Sequence, residues 1–126
     1  MIVLDTHALI WWTIAPGQLS ESARTAIDEA DAVGIPSIAF WETSLLERKA
    51  KVDLGQAVSA WAKQIAAIPR VQILPLTLDI ALCADHLPIH PDPADRFIAA
   101  TALEQSAPLI TKDRRMQCAP GLHTLW

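Results

Sequence analysis

The chain has 126 residues, 52% of them hydrophobic and 19% charged. That length suits one compact domain spanning residues 1–126, and that composition excludes a disordered chain. The formal net charge of −4 argues against a broadly basic nucleic-acid-binding surface but leaves room for a local one, because clustered carboxylates can make the total acidic on their own.

Met1-Ile2-Val3-Leu4-Asp5 carries no basic segment ahead of its apolar residues, and no apolar run is long enough to span a bilayer. The expectation is therefore a cytoplasmic protein with no membrane association. Cys83 and Cys118 are the only cysteines and are far apart in sequence, so no disulfide framework is expected.

Ile2-Val3-Leu4 reads as a short buried strand. A short helix through Ala8–Trp12 follows and ends near Pro16-Gly17. Ser20 can cap the next helix, where Ala23, Ala26, Ile27 and Ala30 share one face and Gly34 is a candidate terminator. The second strand lies around Val33–Pro36. The third helix runs from Ser37 to about Lys51, and the fourth presents Val58, Trp61, Ala62 and Ile65 before Pro69. Val71–Leu74 is the third strand. Thr77 caps a helix to about Ala84, the proline-rich His86–Asp92 is a loop, and a helix spans Pro93–Gln105. Leu109-Ile110-Thr111 is the fourth strand, and Leu122–Trp126 can add a fifth. Strands alternating with helices predict an α/β fold with a mostly parallel sheet of four or five strands, whose ligands gather beyond the carboxyl ends of the strands.

Four acids occupy that rim or face it. Asp5 directly follows the first strand, and Asp113 follows the fourth by two residues. Glu42 falls within the apolar stripe Ile38, Trp41, Leu45, Leu46, where an unpaired carboxylate is costly. In Asp92-Pro93-Ala94-Asp95, Asp92 reads as the N-cap and Pro93 as the first helical residue. Asp95 heads the stripe Ile98, Ala99, Ala102 and so faces the sheet. Each acid has a structural explanation as a cap, turn residue or buried ion pair. Together they would repel one another unless a cation neutralised them. All-oxygen ligation suits Mg²⁺ or Mn²⁺, and such sites commonly hydrolyse phosphodiesters.

The other chemistry-bearing residues carry less. His7, His86, His90 and His123 lack the spacing of a zinc site. Trp11, Trp12, Trp41, Trp61 and Trp126 fit core or subunit contacts better than base stacking. Arg96, Lys112 and Arg114 are candidate contacts to phosphate groups of a ligand.

The segments Leu4-Asp5-Thr6-His7-Ala8-Leu9, Trp41-Glu42, Asp92-Pro93-Ala94-Asp95-Arg96-Phe97-Ile98-Ala99-Ala100 and Leu109-Ile110-Thr111-Lys112-Asp113 resemble the PIN domain, and more narrowly the toxin subunits of VapBC-type toxin–antitoxin pairs. The resemblance covers the whole chain, in order. It implies a three-layer α/β/α fold, Mg²⁺- or Mn²⁺-dependent endoribonuclease activity, a cognate antitoxin and a homodimer. It makes Asp5, Glu42, Asp95 and Asp113 the catalytic, metal-binding quartet, with Thr6, Asp92 and Thr111 beside them. Two other functions compete. One is a PIN-like module that binds RNA or a protein without cutting. The other is an aspartyl-nucleophile phosphatase, disfavoured because His7 stands where its second aspartate would be. Helices around Trp41–Leu46 and Val58–Ile65 are the candidate subunit contact.

Overall fold

A computed structural model describes residues 1–126. The strands are β1 (Ile2–Leu4), β2 (Val33–Pro36), β3 (Val71–Leu74), β4 (Leu109–Ile110) and β5 (Thr124–Leu125); the helices are α1 (Thr6–Ile14), α2 (Glu21–Glu29), α3 (Ser37–Arg48), α4 (Val58–Ala66), α5 (Leu78–His86), α6 (Pro93–Glu104) and α7 (Arg114–Gln117). All strand pairs are parallel, in the order β3-β2-β1-β4-β5.

Helices cover both faces, giving three layers. Successive strand residues point to opposite sides. Ile2, Leu4 and Ile110 join Leu9, Ile27, Trp61 and Ile65 on one side. Val3 and Leu109 join Ile98, Ala99, Ala102 and Met116 on the other. Both faces of the central strands are thus dry, which explains why their sequences read as continuous apolar runs. After β1 the chain builds outward through β2 and β3, then returns to place β4 on the opposite side of β1. The crevice between β1 and β4 is therefore the topological switch point, where open α/β sheets bind ligands.

Several expectations change. The first helix is longer than Ala8–Trp12, because the Asp5 side chain accepts from the Ala8 amide and starts the helix at Thr6. The third helix stops at Arg48, not Lys51. Gly34 does not terminate a helix: α2 ends at Glu29 and Gly34 lies inside β2. A Cβ at Gly34 would come within 2.7 Å of Leu74 Cδ1 and 3.0 Å of Met1 Sδ, so a side chain there would have to displace the ends of those two side chains.

The apolar face of α3 also differs. Trp41 is 52% exposed, while Ala39 and Thr43 are fully buried. Small side chains let α3 approach α1 and α6, and the Thr43 hydroxyl donates to the Ala39 carbonyl at 2.8 Å, so its burial leaves no orphan. On α4, Trp61 and Ile65 are spent in the core, so that face is closed to a subunit contact. The large apolar side chains left exposed include Trp41, Leu76, Leu78 and Leu82. No helix is long and apolar enough to cross a membrane.

Candidate metal centre

The sheet delivers two of the acids directly. Leu4 pairs with Ile110 in register, and the Asp5 amide donates to the Ile110 carbonyl at 3.2 Å. Asp5 therefore leaves β1 beside Thr111, which leaves β4. The Asp5 side chain caps α1 by accepting from the Ala8 amide at 2.7 Å. Burial pushes its carboxyl above the ordinary aspartate value. Hydrogen bonds from Thr111 and Ala8 and the nearness of His7 pull the other way, and Glu42 adds to the rise. Two residues past Thr111, the Asp113 amide donates to the Thr111 hydroxyl at 3.1 Å. Thr6 is buried with no partner for its hydroxyl.

Helices supply the rest. Glu42 is half-buried on α3. Asp92 caps α6 by accepting from the Asp95 amide at 3.3 Å, with Pro93 in the first turn as expected. Asp95 is pushed up to about 7, chiefly by burial and then by the negative charges of Asp92, Glu42, Asp113 and Asp5. A carboxyl so perturbed marks negative potential that the protein alone leaves uncompensated. Asp113 goes the other way. Its partial burial works against ionisation, but Arg115 overrides this. The Arg115 side chain donates to both Asp113 oxygens (3.3 and 3.1 Å) and its amide donates at 2.8 Å, holding the carboxyl below the ordinary value.

These groups line one open cleft of about 670 Å³, walled by Asp5, Glu42, Asp92, Asp95 and Asp113, with His7, Trp11 and Leu46 and a cationic edge of Lys112, Arg114 and Arg115. Two sets of potential ligand atoms lie within 4.8 Å of one another: Glu42, Asp92 and Asp95; and His90, Asp95 and Asp113. Asp95 belongs to both. Asp5 lines the same cleft but belongs to neither set. The donor set of clustered carboxylates with one imidazole fits a divalent cation.

Among the candidate phosphate contacts, Lys112 and Arg114 border the cleft and Arg96 does not. The Arg96 guanidinium instead donates to the carbonyls of Ile89, His90 and Asp85, tying down the loop before α6. Asp92 is more than a cap, since its carboxylate also stands within ligand distance of Glu42 and Asp95. Sequence reasoning sets His90 aside with the other histidines and does not pair Arg115 with Asp113. His90 lies in a proline-rich loop with no periodicity to betray its direction. Arg115 could have been read from its place two residues after Asp113, inside the first turn of a capped helix. Trp11 is packed against His7, Trp126 and Lys112, with ring centroids 5.5 Å from His7 and 5.7 Å from Trp126 and the Lys112 ammonium 5.7 Å from its ring.

Comparison with known proteins adds to this geometry. The family model described as "PIN domain" matches residues 2–122. The chain is 36% identical to Ribonuclease VapC22 of Mycobacterium tuberculosis over 129 aligned positions, covering 99% of this chain and 98% of that protein. Its fold is similar to that of a chain in the crystal structure of VapBC2 from Rickettsia felis bound to a promoter DNA fragment, with TM-score 0.70, 17% identity and coverage of 98% and 97% of the two chains. It is similar also to a chain of FitAcB from Neisseria gonorrhoeae, with TM-score 0.66, 22% identity and coverage of 98% and 96%. The parallel sheet, the acidic cleft at its switch point and the match along nearly the whole sequence agree: the chain belongs to the PIN domain family, on its VapC-like branch.

Proposed function

We propose that this protein is a metal-dependent endoribonuclease acting as the toxin of a toxin–antitoxin pair. The observation that carries the reading is the cleft in which Asp5, Glu42, Asp92, Asp95 and Asp113 converge, with Asp95 common to two three-ligand clusters. A pure binding module has no use for acids that raise one another's proton affinity. RNA as substrate is supported by the likeness to Ribonuclease VapC22.

Asp5, Glu42, Asp95 and Asp113 would hold Mg²⁺ or Mn²⁺, with Asp92 beside them. Such an ion, when bound, supplies a water of lowered pKa as nucleophile and stabilises charge on the leaving oxygen. The protein's own residues do the positioning. Thr111 stands beside Asp5 across the two central strands, and its hydroxyl accepts from the Asp113 amide, which fixes the turn that carries Asp113. Lys112 and Arg114 border the cleft, which supports a role for them in pairing with RNA phosphates.

An antitoxin partner is supported by the VapBC and FitAB complexes that share the fold. A basic side chain from such a partner, inserted among the acids, would compete with the cation. Homodimerisation is proposed too, with the exposed Trp41 of α3 and the exposed Leu76, Leu78 and Leu82 as candidate faces, since the Trp61 and Ile65 face of α4 is buried in the core. Incubation of a labelled RNA with the purified protein tests the central reading. Cleavage should stop in excess EDTA and resume with Mn²⁺; cleavage that persists in EDTA would refute it.

A further inference from the structure

His90 is a largely enclosed imidazole beside the acids, and the quartet of proposed metal ligands does not include it. It stands between α5 and α6 on a segment held by Arg96, whose guanidinium donates to the carbonyl of His90 itself as well as to those of Ile89 and Asp85. Its side chain is only 10% exposed. Nε2 lies 3.2 Å from Asp95 Oδ2 and 3.6 Å from Asp113 Oδ2. Both distances fall within ion-pair range, yet neither contact has hydrogen-bond geometry, and Nε2 is left without a partner. An orphaned ring nitrogen at a carboxylate pair is costly unless something is to be bound there.

The separations fit a shared ion. Neighbouring donors around an octahedral cation at about 2.1 Å lie about 3 Å apart. We propose that His90 Nε2 is a metal ligand which, with Asp95 and Asp113, holds one divalent transition-metal ion, so that this centre selects Mn²⁺ over Mg²⁺. The proposal rests on the metal-nuclease reading above and narrows its cofactor. Oxygen donors alone suit Mg²⁺ and Mn²⁺ alike, whereas an imidazole is a borderline donor that favours first-row transition ions. The competing role for His90 is a built-in counter-ion, an imidazolium that occupies the site in place of metal. The two roles predict opposite signs. Removing a ligand weakens metal binding; removing a competing cation strengthens it.

Pulsed electron paramagnetic resonance on the Mn²⁺-loaded wild-type protein reads the ligand directly. Nitrogen modulation from a coordinated imidazole is expected, and it should change to the ¹⁵N pattern when histidine is ¹⁵N-labelled. In His90→Gln the modulation should vanish and the Mn²⁺ Kd should rise by about tenfold or more, with a smaller change for Mg²⁺. Mn²⁺ bound without nitrogen modulation, or a His90→Gln protein that binds Mn²⁺ as tightly as wild type or more so, overturns the proposal. If RNA is still cut in that case, the nuclease reading stands without it. A wild-type protein that binds neither ion overturns both.

Discussion

The backbone amide of Asp5 donates to the carbonyl of Ile110 at 3.2 Å, which fixes the first residue past β1 beside the first residue past β4. One hydrogen bond thus ties the position of a buried carboxylate to the register of the two central strands. The same carboxylate caps α1, so Asp5 has a folding role apart from the metal-binding one proposed for it, and substitutions can separate them.

Asp5→Asn keeps a side-chain oxygen for the Ala8 amide, and asparagine caps about as well as aspartate. It also removes a charge that burial disfavours. The variant should fold, melt at or above the wild-type temperature without metal, and fail to cleave RNA. Asp5→Ala should be inactive too, but less stable than Asp5→Asn by about 1 kcal/mol from the lost cap. Thermal melts of the three proteins in EDTA, paired with cleavage assays in Mn²⁺, check both halves.

The raised Asp95 carboxyl makes stability depend on pH in a definite direction. Between its ordinary value of 3.8 and its folded value of about 7, the folded protein holds a proton that the unfolded chain has released. Stability of the metal-free protein should therefore fall as pH rises through this window, with the penalty fully present above about 7. Asp5 is shifted the same way. Asp113 is shifted oppositely, so its contribution is lost only as pH falls below the ordinary range. Asp95→Asn should flatten the slope between pH 4 and pH 7 in urea titrations run in EDTA. A slope equal to that of wild type would show that Asp95 is not the group responsible.

Asp92 and Asp95 sit three residues apart in one helical turn but differ in exposure, Asp92 being open to solvent. Asp92→Asn should retain the α6 cap and leave the melting temperature unchanged. As a member of the cluster with Glu42 and Asp95, it should still weaken Mn²⁺ binding, though less than Asp95→Asn does. Calorimetric titration of both variants orders them, and equal losses would give the two acids equal standing at the ion.

Arg96 and Arg114 should separate by salt dependence. Arg114 borders the cleft, so Arg114→Ala should lower the slope of log binding constant against log salt by about 0.7 for single-stranded RNA. Arg96 is spent on the carbonyls of Asp85, Ile89 and His90, so Arg96→Ala should leave that slope unchanged while weakening Mn²⁺ binding through the displaced loop. Binding measured with a catalytically dead Asp5→Asn background isolates the two effects.

Much of this candidate site is legible in the sequence, because a parallel sheet places the residue after each strand at a known rim. Asp5 and Asp113 follow from that rule, and Asp92-Pro93 follows from capping chemistry. The face of α3 is not legible from apolarity alone: Trp41 belongs to the apolar stripe yet is exposed, whereas close helix packing selects the small Ala39 and the self-satisfied Thr43. His90 was illegible for a different reason. Its direction is set by the Arg96 fork, a contact between a loop and a helix that carries no period in sequence.

The claim that the carboxylates direct water at a phosphodiester is tested most directly by cleaving an RNA in H₂¹⁸O with Mn²⁺ and weighing the products by mass spectrometry. Attack by water in the cleft predicts 3′-hydroxyl ends and 5′-phosphates carrying one ¹⁸O. Products ending in a 2′,3′-cyclic phosphate would mean that the ribose hydroxyl attacks instead, and a labelled 3′-phosphate would mean that the 5′ oxygen is the leaving group; either would contradict the account.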